Sequence, residues 1–554
     1  MPLLRVAIAQ VNPTVGDLSG NRRLVEEAAA KAAGAGADLV VLPEMVLTGY
    51  PPMDLLERPG FVRDQLRELE ALAPASERVA IALGAALPVA GEGRARLANA
   101  AVLLAGGRQL ASQAKTLLPT YDVFDEKRWF APARERVPVW LGPTCLGLSV
   151  CEDAWVEEIG YPVDPVEELA RAGARIVVNL SASPWHVGKA RERRRMVARL
   201  AARHRVPIVF ANQVGGNDEL VFDGGSFAVD EAGRIRAALP LFDAAFEMVD
   251  LDAPGHGLAP EEVADPDATA QLEMGLVLGI RDYFRKQGLP PGAVVGLSGG
   301  VDSAVTAWLA VQALGPDRVL GVAMPGPFSS DHSLADALHL GRNLGIDVRQ
   351  VDVRRIYESY LAAFRQLFGE RPDFGIAQQN IQSRIRGAIL MAVSNAEGRL
   401  VLATGNKSEL SMGYCTLYGD TVGGLCVLGD VFKRDVYALA RRANAAGERI
   451  PHRTLEKPPS AELAPGQLDS DDLPPYEILD PILEQVVERG RDPAGLELPP
   501  RATREVARQI FARVDRNEYK RRQAPLVLRT SRKAFGSGRR LPIVHRYRGS
   551  GDVG

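Results

Sequence analysis

The sequence predicts an α/β protein of two domains, and three observations carry that expectation. From Arg5 to about Asp252 short apolar runs alternate with helical stretches. Residues 250–270 interrupt the rhythm, and a glycine-rich turn then follows the apolar run Ala293-Val294-Val295. The first region reads RVAIAQV, then NRRLVEEAAAKAA, then ADLVVLPE, and later RIVVNL, RRRMVARLAARH and PIVFANQV. Runs of period two or of continuous apolar residues are strands, and runs of period 3.6 are helices, so this is layered α/β structure. DLDAPGHGLAPEEVADPDATA is rich in Pro, Gly, Ala and acids without periodicity and reads as a connector. The expected division is 1–252, a linker at 253–270, and 271–554. Beyond the linker, QLEMGLVLGIRDYFRKQG is an amphipathic helix leading into the strand before the turn, and further strands follow at RVLGVAMP and GRLVLATGN. This second domain is expected to be a doubly wound parallel sheet, with ligands at the carboxyl ends of its strands.

At 554 residues the chain is too long for one ordinary core. Hydrophobic content of 46% with 24% charged residues describes a soluble globular protein. A net charge of −3 and a pI near 6.3 give no global attraction to nucleic acid or an anionic membrane, so small ligands are the expected partners. MPLLRVAIAQVNPTVGD lacks the apolar core of a signal peptide, and no run approaches the ~20 apolar residues of a membrane span, which points to the cytoplasm. The four cysteines, at 145, 151, 415 and 426, form no CxxC pair, so neither a disulfide framework nor a zinc knuckle is indicated.

The turn runs Gly296, Leu297, Ser298, Gly299, Gly300, Val301, Asp302, Ser303. Consecutive N–H groups and the start of a helix near Ser303 make a cradle for an oxyanion. A Walker loop would supply a lysine; this segment offers instead two hydroxyls and Asp302, a carboxylate suited to magnesium. An ordinary tight strand-to-helix turn is the plain alternative. SGGVDS resembles the pyrophosphate loop of the ATP pyrophosphatases. That resemblance implies ATP as a substrate, cleaved to AMP and pyrophosphate as a substrate oxygen is adenylated, with all eight turn residues at the ATP.

In the first domain, Cys151 ends the apolar run TCLGLSV and precedes acidic, then aromatic residues. Alone it reads as a buried small hydrophobe, as does Cys145 on the same strand face. Glu44 ends LVVLP and Lys115 opens KTLLP; each alone reads as a surface or salt-bridged group. Together, LPE, KxxLP and CED resemble the triad of the nitrilase superfamily, and the match spans nearly all of residues 4–250. It extends to NLSASP at 179–184 and LVFDGGS at 220–226, features of the glutaminase domain of glutamine-dependent NAD synthetases. The resemblance implies an αββα sandwich, Cys151 as nucleophile, Glu44 as base, and Lys115 with the N–H of Glu152 as oxyanion donors. It also implies Tyr121, Ser183 and Lys189 as glutamine contacts. Glu126 is read either as a carboxylate orienting Lys115 or as a solvent-facing acid beside Lys127 and Arg128. The run Arg191-Glu192-Arg193-Arg194-Arg195 is expected to be a solvated helix face rather than an RNA site.

In the second domain, NIQSRIR, ATGNKSE and YGD resemble the NAD synthetases among the ATP pyrophosphatases, from about Gln271 to Ile543. The resemblance implies that Asn380, Arg384, Glu409 and Lys520 contact deamido-NAD and that Thr404, Lys433 and Ser460 contact ATP. Asp302 and Glu409 would hold Mg2+. Short relatives carry a lysine before YGD and an aspartate after it, where this chain has Leu417 and Gly424. The basic tail from Lys520 to Arg548 reads equally as a charged interface or a phosphate-binding element.

Taken together, the two resemblances imply a ligase that amidates deamido-NAD with ammonia released from glutamine. A closed route for that ammonia is a hypothesis motivated by joining a producer to a consumer, and leakage of most glutamine-derived ammonia during synthesis would sink it. A homo-oligomer is expected because both resembled families commonly assemble. One rival is an amidase or nitrilase whose second domain senses nucleotide, and Asp302, Glu409, Thr404 and Arg384 together argue against it. Another is a tRNA-modifying pyrophosphatase, against which stand the acidic balance and the lack of paired cysteines.

Overall fold

The computed structural model describes residues 4–89, 97–251, 257–289 and 291–547. Residues 253–256 of the connector and Arg548 of the basic tail lie outside them. The chain divides into two compact units, Met1–Pro266 and Asp267–Gly554.

Unit one contains two six-stranded sheets. The first runs β14 (Ala245–Asp250), β1 (Arg5–Gln10), β2 (Leu39–Val41), β3 (Ala80–Pro88), β4 (Leu97–Ala105), β5 (Arg108–Ala114). The second runs β13 (Ile235–Ala238), β12 (Phe227–Val229), β9 (Ile208–Asn212), β8 (Ile176–Ser181), β7 (Thr144–Val150), β6 (Val139–Leu141). A hairpin of β10 (Val214–Asn217) and β11 (Leu220–Asp223) stands apart.

The period of two explains how the layers stack. Val6, Ile8, Leu39 and Val41 point inward to Leu146, Leu148, Ile176 and Val178 of the other sheet. Their neighbours Ala7, Ala9, Val40 and Leu42 point outward onto Val25, Ala28, Ala29 and Ala32 of the Leu18–Gly34 helix. On the second sheet Val177, Ile208, Phe210 and Phe227 pack outward onto Val197, Leu200 and Ala201 of the Lys189–His204 helix. Fully burying each of the Val, Leu, Ile and Phe side chains is worth ~1.5–3 kcal/mol, which fixes the register of both sheets. The result is the expected αββα sandwich.

The arginine run departs from expectation. Arg193 is fully buried with its guanidinium 2.6 Å from Asp223 Oδ1, and Arg194 is buried against Asp265. Only Arg191 and Arg195 face solvent. Residues 193, 194, 197, 200 and 201 share the helix face that meets the sheet, so helical phase carries two of the cations inward.

Unit two is built on one parallel sheet in the order β17 (Asp347–Gln350), β16 (Val319–Ala323), β15 (Ala293–Leu297), β18 (Leu400–Ala403), β19 (Leu425–Cys426), β20 (Leu526–Val527). Counted within the unit this is 3-2-1-4-5-6, the doubly wound arrangement, with its switch point between β15 and β18. Ala293, Val294 and Val295 are fully buried in succession, as a strand covered on both faces requires.

A buried lysine closes this unit. Lys407 Nζ lies 2.8 Å from Asp430 Oδ1 and 2.7 Å from Glu488 Oε1, and donates to Ser531 Oγ at 2.7 Å. Asp430 also accepts from the N–H groups of Thr530 and Ser531, so the segment after β20 is tied down at both residues. No helix of the described residues is long and apolar enough to cross a membrane.

Candidate active sites

In unit one, Glu44 follows β2, Lys115 follows β5, and Cys151 follows β7. The structure brings all three into one buried cluster. Lys115 Nζ lies 2.8 Å from Glu44 Oε1 and 2.7 Å from Glu126 Oε1. Asn99 Nδ2 donates to Glu44 Oε1 at 2.6 Å, the N–H of Ala182 to Glu44 Oε2 at 2.9 Å, and Tyr50 OH to Glu126 Oε1 at 2.8 Å. Of the two readings of Glu126, the buried one that orients Lys115 is therefore the one the structure shows. Behind Glu44, β3 carries Gly84, where a Cβ would stand 2.0 Å from Met45 N and 2.6 Å from Glu44 Cα. Only a residue without a side chain lets that strand approach the turn so closely.

Cys151 has φ of 42°, a left-handed conformation costly for any residue but glycine, and it opens a short 3₁₀ turn through Ala154. Such an elbow lifts a nucleophile clear of its strand end. Burial pushes the Cys151 thiol well up, with the Glu44 charge adding to it and Lys115 opposing. Burial thus disfavours the thiolate, and the Glu44 side chain stands near the thiol. Burial pulls Lys115 down, but Glu126 and Glu44 outweigh it and hold the ammonium charged. Burial raises Glu126 to about 7, against the pull of Lys115.

Beside this cluster, Tyr121 is 39% exposed and donates its hydroxyl to Glu152 Oε1 at 2.8 Å; Tyr161 donates to the same oxygen at 3.0 Å. Lys189 Nζ stands 3.8 Å from the centre of the Trp155 ring. Ser183 is buried, with its N–H donating to Asn212 Oδ1 at 2.9 Å. The Glu152 side chain, Tyr161 and Trp155 are site features that motif reading missed, although the acidic and aromatic letters after Cys151 were visible.

In unit two a cavity of about 500 Å³ opens at the switch point. Every residue from Gly296 to Ser303 lines it except Gly299, and so do Asn380, Thr404, Glu409, Lys433, Ser460 and Lys520. Gly299 has φ of +76°, and a Cβ there would come within 2.5 Å of Ser333 O, so it sets the turn from behind. The Ser298 and Ser303 hydroxyls lie 3.2 Å apart, and Ser303 Oγ donates to Gly300 O at 3.0 Å.

Lys433 Nζ joins the two acids, 2.5 Å from Asp302 Oδ2 and 3.3 Å from Glu409 Oε1. Asn406 Nδ2 donates to Asp302 Oδ1 at 2.8 Å, while its Oδ1 accepts the Glu409 N–H at 3.0 Å. Burial raises Glu409 to about 8, with Lys433 opposing and Asp302 adding. Lys520 Nζ is held by Gly413 O at 2.7 Å and Cys415 O at 2.8 Å, and the Thr416 hydroxyl donates to Asn380 Oδ1 at 2.9 Å. Arg384 is not on the cavity wall; its Nε donates to Leu417 O at 3.2 Å. Asn380, Ser383 and Gly387 are the cavity face of the Ile376–Glu397 helix, and Arg384 is turned from it by one residue. At Gly424 a Cβ would meet Leu400 Cδ1 at 2.3 Å, so a side chain there would require Leu400 to shift. Lys457, missed in the sequence, also lines the cavity, its Nζ donating to Ser333 Oγ at 2.6 Å.

Fold and sites define a protein that joins a carbon–nitrogen hydrolase half to a nucleotide-dependent half. Residues 5–256 match the family described as Carbon-nitrogen hydrolase, and residues 273–524 match NAD synthase. The chain is 44% identical over 567 residues to the glutamine-dependent NAD(+) synthetase of Synechocystis sp., covering 99% of this chain and 100% of that one. It is 39% identical over 589 residues to the protein of the same name from Thermotoga maritima, with the same coverage. Among solved structures, that of glutamine-dependent NAD+ synthetase from Acinetobacter baumannii in complex with ADP has a TM-score of 0.76 at 34% identity, with 98% of each chain covered. The chain belongs to the glutamine-dependent NAD(+) synthetases.

Proposed function

We infer that the protein amidates deamido-NAD to NAD at the expense of ATP, with nitrogen drawn from glutamine. The observation that carries this reading is the coexistence, on one chain, of the buried Glu44–Lys115–Cys151 cluster and a phosphate-cradling turn at a parallel-sheet switch point.

In the first half-reaction Cys151 Sγ attacks the side-chain amide carbon of glutamine while Glu44 takes the thiol proton. Lys115 and the N–H of Glu152 hold the oxyanion. Glu44 passes the proton to the departing nitrogen, ammonia leaves, and a glutamyl thioester remains. Water deprotonated by Glu44 then cleaves the thioester, releasing glutamate and restoring the thiol. Tyr121, Ser183 and Lys189 are the glutamine contacts in this reading, with Lys189 facing the α-carboxylate.

In the second half-reaction the nicotinate carboxylate attacks the α-phosphorus of ATP and pyrophosphate leaves. Ammonia then attacks the adenylated carboxyl carbon and AMP departs, leaving the amide. A carboxylate alone has no leaving group for ammonia to displace, which is why activation is needed. The N–H groups of Gly296–Ser303, with Thr404, Lys433 and Ser460, position and neutralise the phosphates. Asn380, Glu409 and Lys520, which line the cavity, are assigned to deamido-NAD, and Arg384, turned to Leu417 O, is left out of the contact set. Asp302 and Glu409 would hold Mg2+, since two hard carboxylate oxygens of these residues converge there on one cation, Lys433. When bound, the ion supplies positive charge against the departing pyrophosphate.

The same reading places the enzyme in the cytoplasm, supported by four free cysteines. It also includes a homo-oligomer and a guarded path for ammonia, which protonation in bulk water would otherwise inactivate.

The test supplies ATP, magnesium, deamido-NAD and either glutamine or ammonium, and repeats it with Cys151→Ala. Glutamine-driven NAD formation is lost and ammonium-driven formation stays. Loss of both overturns the division of labour.

A further inference from the structure

The nucleophile and its lysine stand on segments far apart in the chain and on strands of different sheets: Cys151 follows β7 and Lys115 follows β5. One buried side chain joins the two segments. Asp153, 1% exposed, accepts at Oδ1 from the N–H of Thr116 (2.9 Å) and of Leu117 (2.8 Å), and at Oδ2 from the N–H of Val150 (3.2 Å). One oxygen therefore holds the two residues that follow Lys115. The other holds the residue that precedes Cys151.

We propose that Asp153 is a positioning residue of the glutaminase half, fixing the Lys115 ammonium against the Cys151 thiol by tying the lysine's loop to the nucleophile's elbow. The proposal rests on the reading of Cys151 and Lys115 given above.

The chemistry of the junction calls for a carboxylate. Three N–H donors converge on it, and only a group with acceptors on both ends meets them all. An amide of the same shape keeps one oxygen but turns an NH2 onto the remaining donor, so it serves one segment and repels the other. The left-handed backbone at Cys151 adds a reason for the tie, because a strained conformation persists only where its surroundings over-determine it. Val150 N–H and the Asp153 carboxylate bracket that residue on both sides. The effect on catalysis follows from distance: a displacement of about 1 Å between reacting groups costs about 10²-fold in rate.

The experiment compares the full-length chain with Asp153→Asn and Asp153→Ala. It measures kcat and KM for glutamine hydrolysis, the rate of iodoacetamide alkylation at Cys151 located by mass spectrometry, ammonium-driven NAD formation, and the melting temperature. In Asp153→Asn we expect kcat for glutamine to fall about 10²-fold while KM stays within about threefold, since the substrate contacts are untouched. Alkylation slows about tenfold, and ammonium-driven synthesis stays within about twofold. An unchanged glutamine kcat overturns the proposal. So does a loss of both activities in step with a lower melting temperature, which would mark Asp153 as a folding residue alone. Cys151→Ala is run in parallel: if it retains glutamine-driven synthesis, the glutaminase reading fails, whatever Asp153 does.

Discussion

Glu44 and Lys115 are joined by an ion pair of 2.8 Å in which both side chains are buried, so the two groups assigned above as base and oxyanion donor are one electrostatic unit. Removing the cation leaves Glu44 and Glu126 facing each other without compensation. Lys115→Ala is expected to abolish glutamine hydrolysis and to destabilise unit one by about 3–5 kcal/mol, the usual cost of breaking a buried pair from one side. Chemical denaturation checks the second number. A change below about 1 kcal/mol would mean that water relieves the two acids.

Gly84 makes a prediction that involves no chemical group. An alanine there puts a Cβ 2.6 Å from Glu44 Cα, so either β3 or the Glu44 turn must shift. Gly84→Ala should cost about 1–3 kcal/mol and lower glutamine-driven synthesis at least about tenfold, with ammonium-driven synthesis preserved. Wild-type glutaminase kinetics in this variant would show that the close approach has no bearing on catalysis.

The Glu126 carboxyl titrates against stability in a definite direction. Burial raises it from 4.5 to about 7, so between those values the folded state keeps a proton that the unfolded chain has released. Its stabilising contribution is full below about 4.5 and is lost as pH rises through about 7, a change of about 3 kcal/mol at roughly 1.4 kcal/mol per pH unit. Glu126→Gln cannot titrate. Its stability relative to wild type should therefore rise as pH goes from 4.5 to 7, as read by denaturant midpoints across that range; a falling or flat difference contradicts the assignment.

Lys433 separates Asp302 from Glu409, and its loss should strike the synthetase half alone. With Lys433→Met, NAD formation from glutamine and from ammonium should fall together by about 10²-fold or more. A variant that slowed only the glutamine-driven reaction would place the lysine outside phosphate chemistry.

Lys407 lies in the same ATGNKSE segment as Glu409 yet points away from the cavity, into Asp430, Glu488 and Ser531. Lys407→Met should cost about 3–5 kcal/mol of stability in unit two, because the buried Asp430 and the mostly buried Glu488 lose their cation. Activity of the fraction still folded is expected to stay near wild type. Full stability with lost activity would reverse this division.

These residues show what one sequence makes legible. Strand phase and turn chemistry are local, so the layered α/β structure, the parallel sheet, the Gly296–Ser303 turn and the strand-end positions of Glu44, Lys115 and Cys151 could be read from neighbouring letters, whereas the αββα sandwich came from the family resemblance. Polar burial is set by distant partners. Glu126 meets Tyr50, Asp153 meets Thr116, Arg193 meets Asp223, and Lys407 meets Glu488, each across tens of residues, while the run around Arg193 reads locally as solvated and Glu126 reads either way. Arg384 illustrates a finer limit. A motif places a residue on a helix to within one position, and one position turns its side chain from the cavity wall to the carbonyl of Leu417.

The order in which the strands leave the ribosome differs between the units. The first sheet of unit one is complete once β14 has emerged at Asp250, whereas the sheet of unit two waits for β20 and for Ser531 to seat its edge and satisfy Lys407. N-terminal units generally fold first during synthesis. A chain cut short near residue 525 would then keep its glutamine-cleaving half and lose the half that activates the acceptor. Such a fragment would drain glutamine and make no NAD.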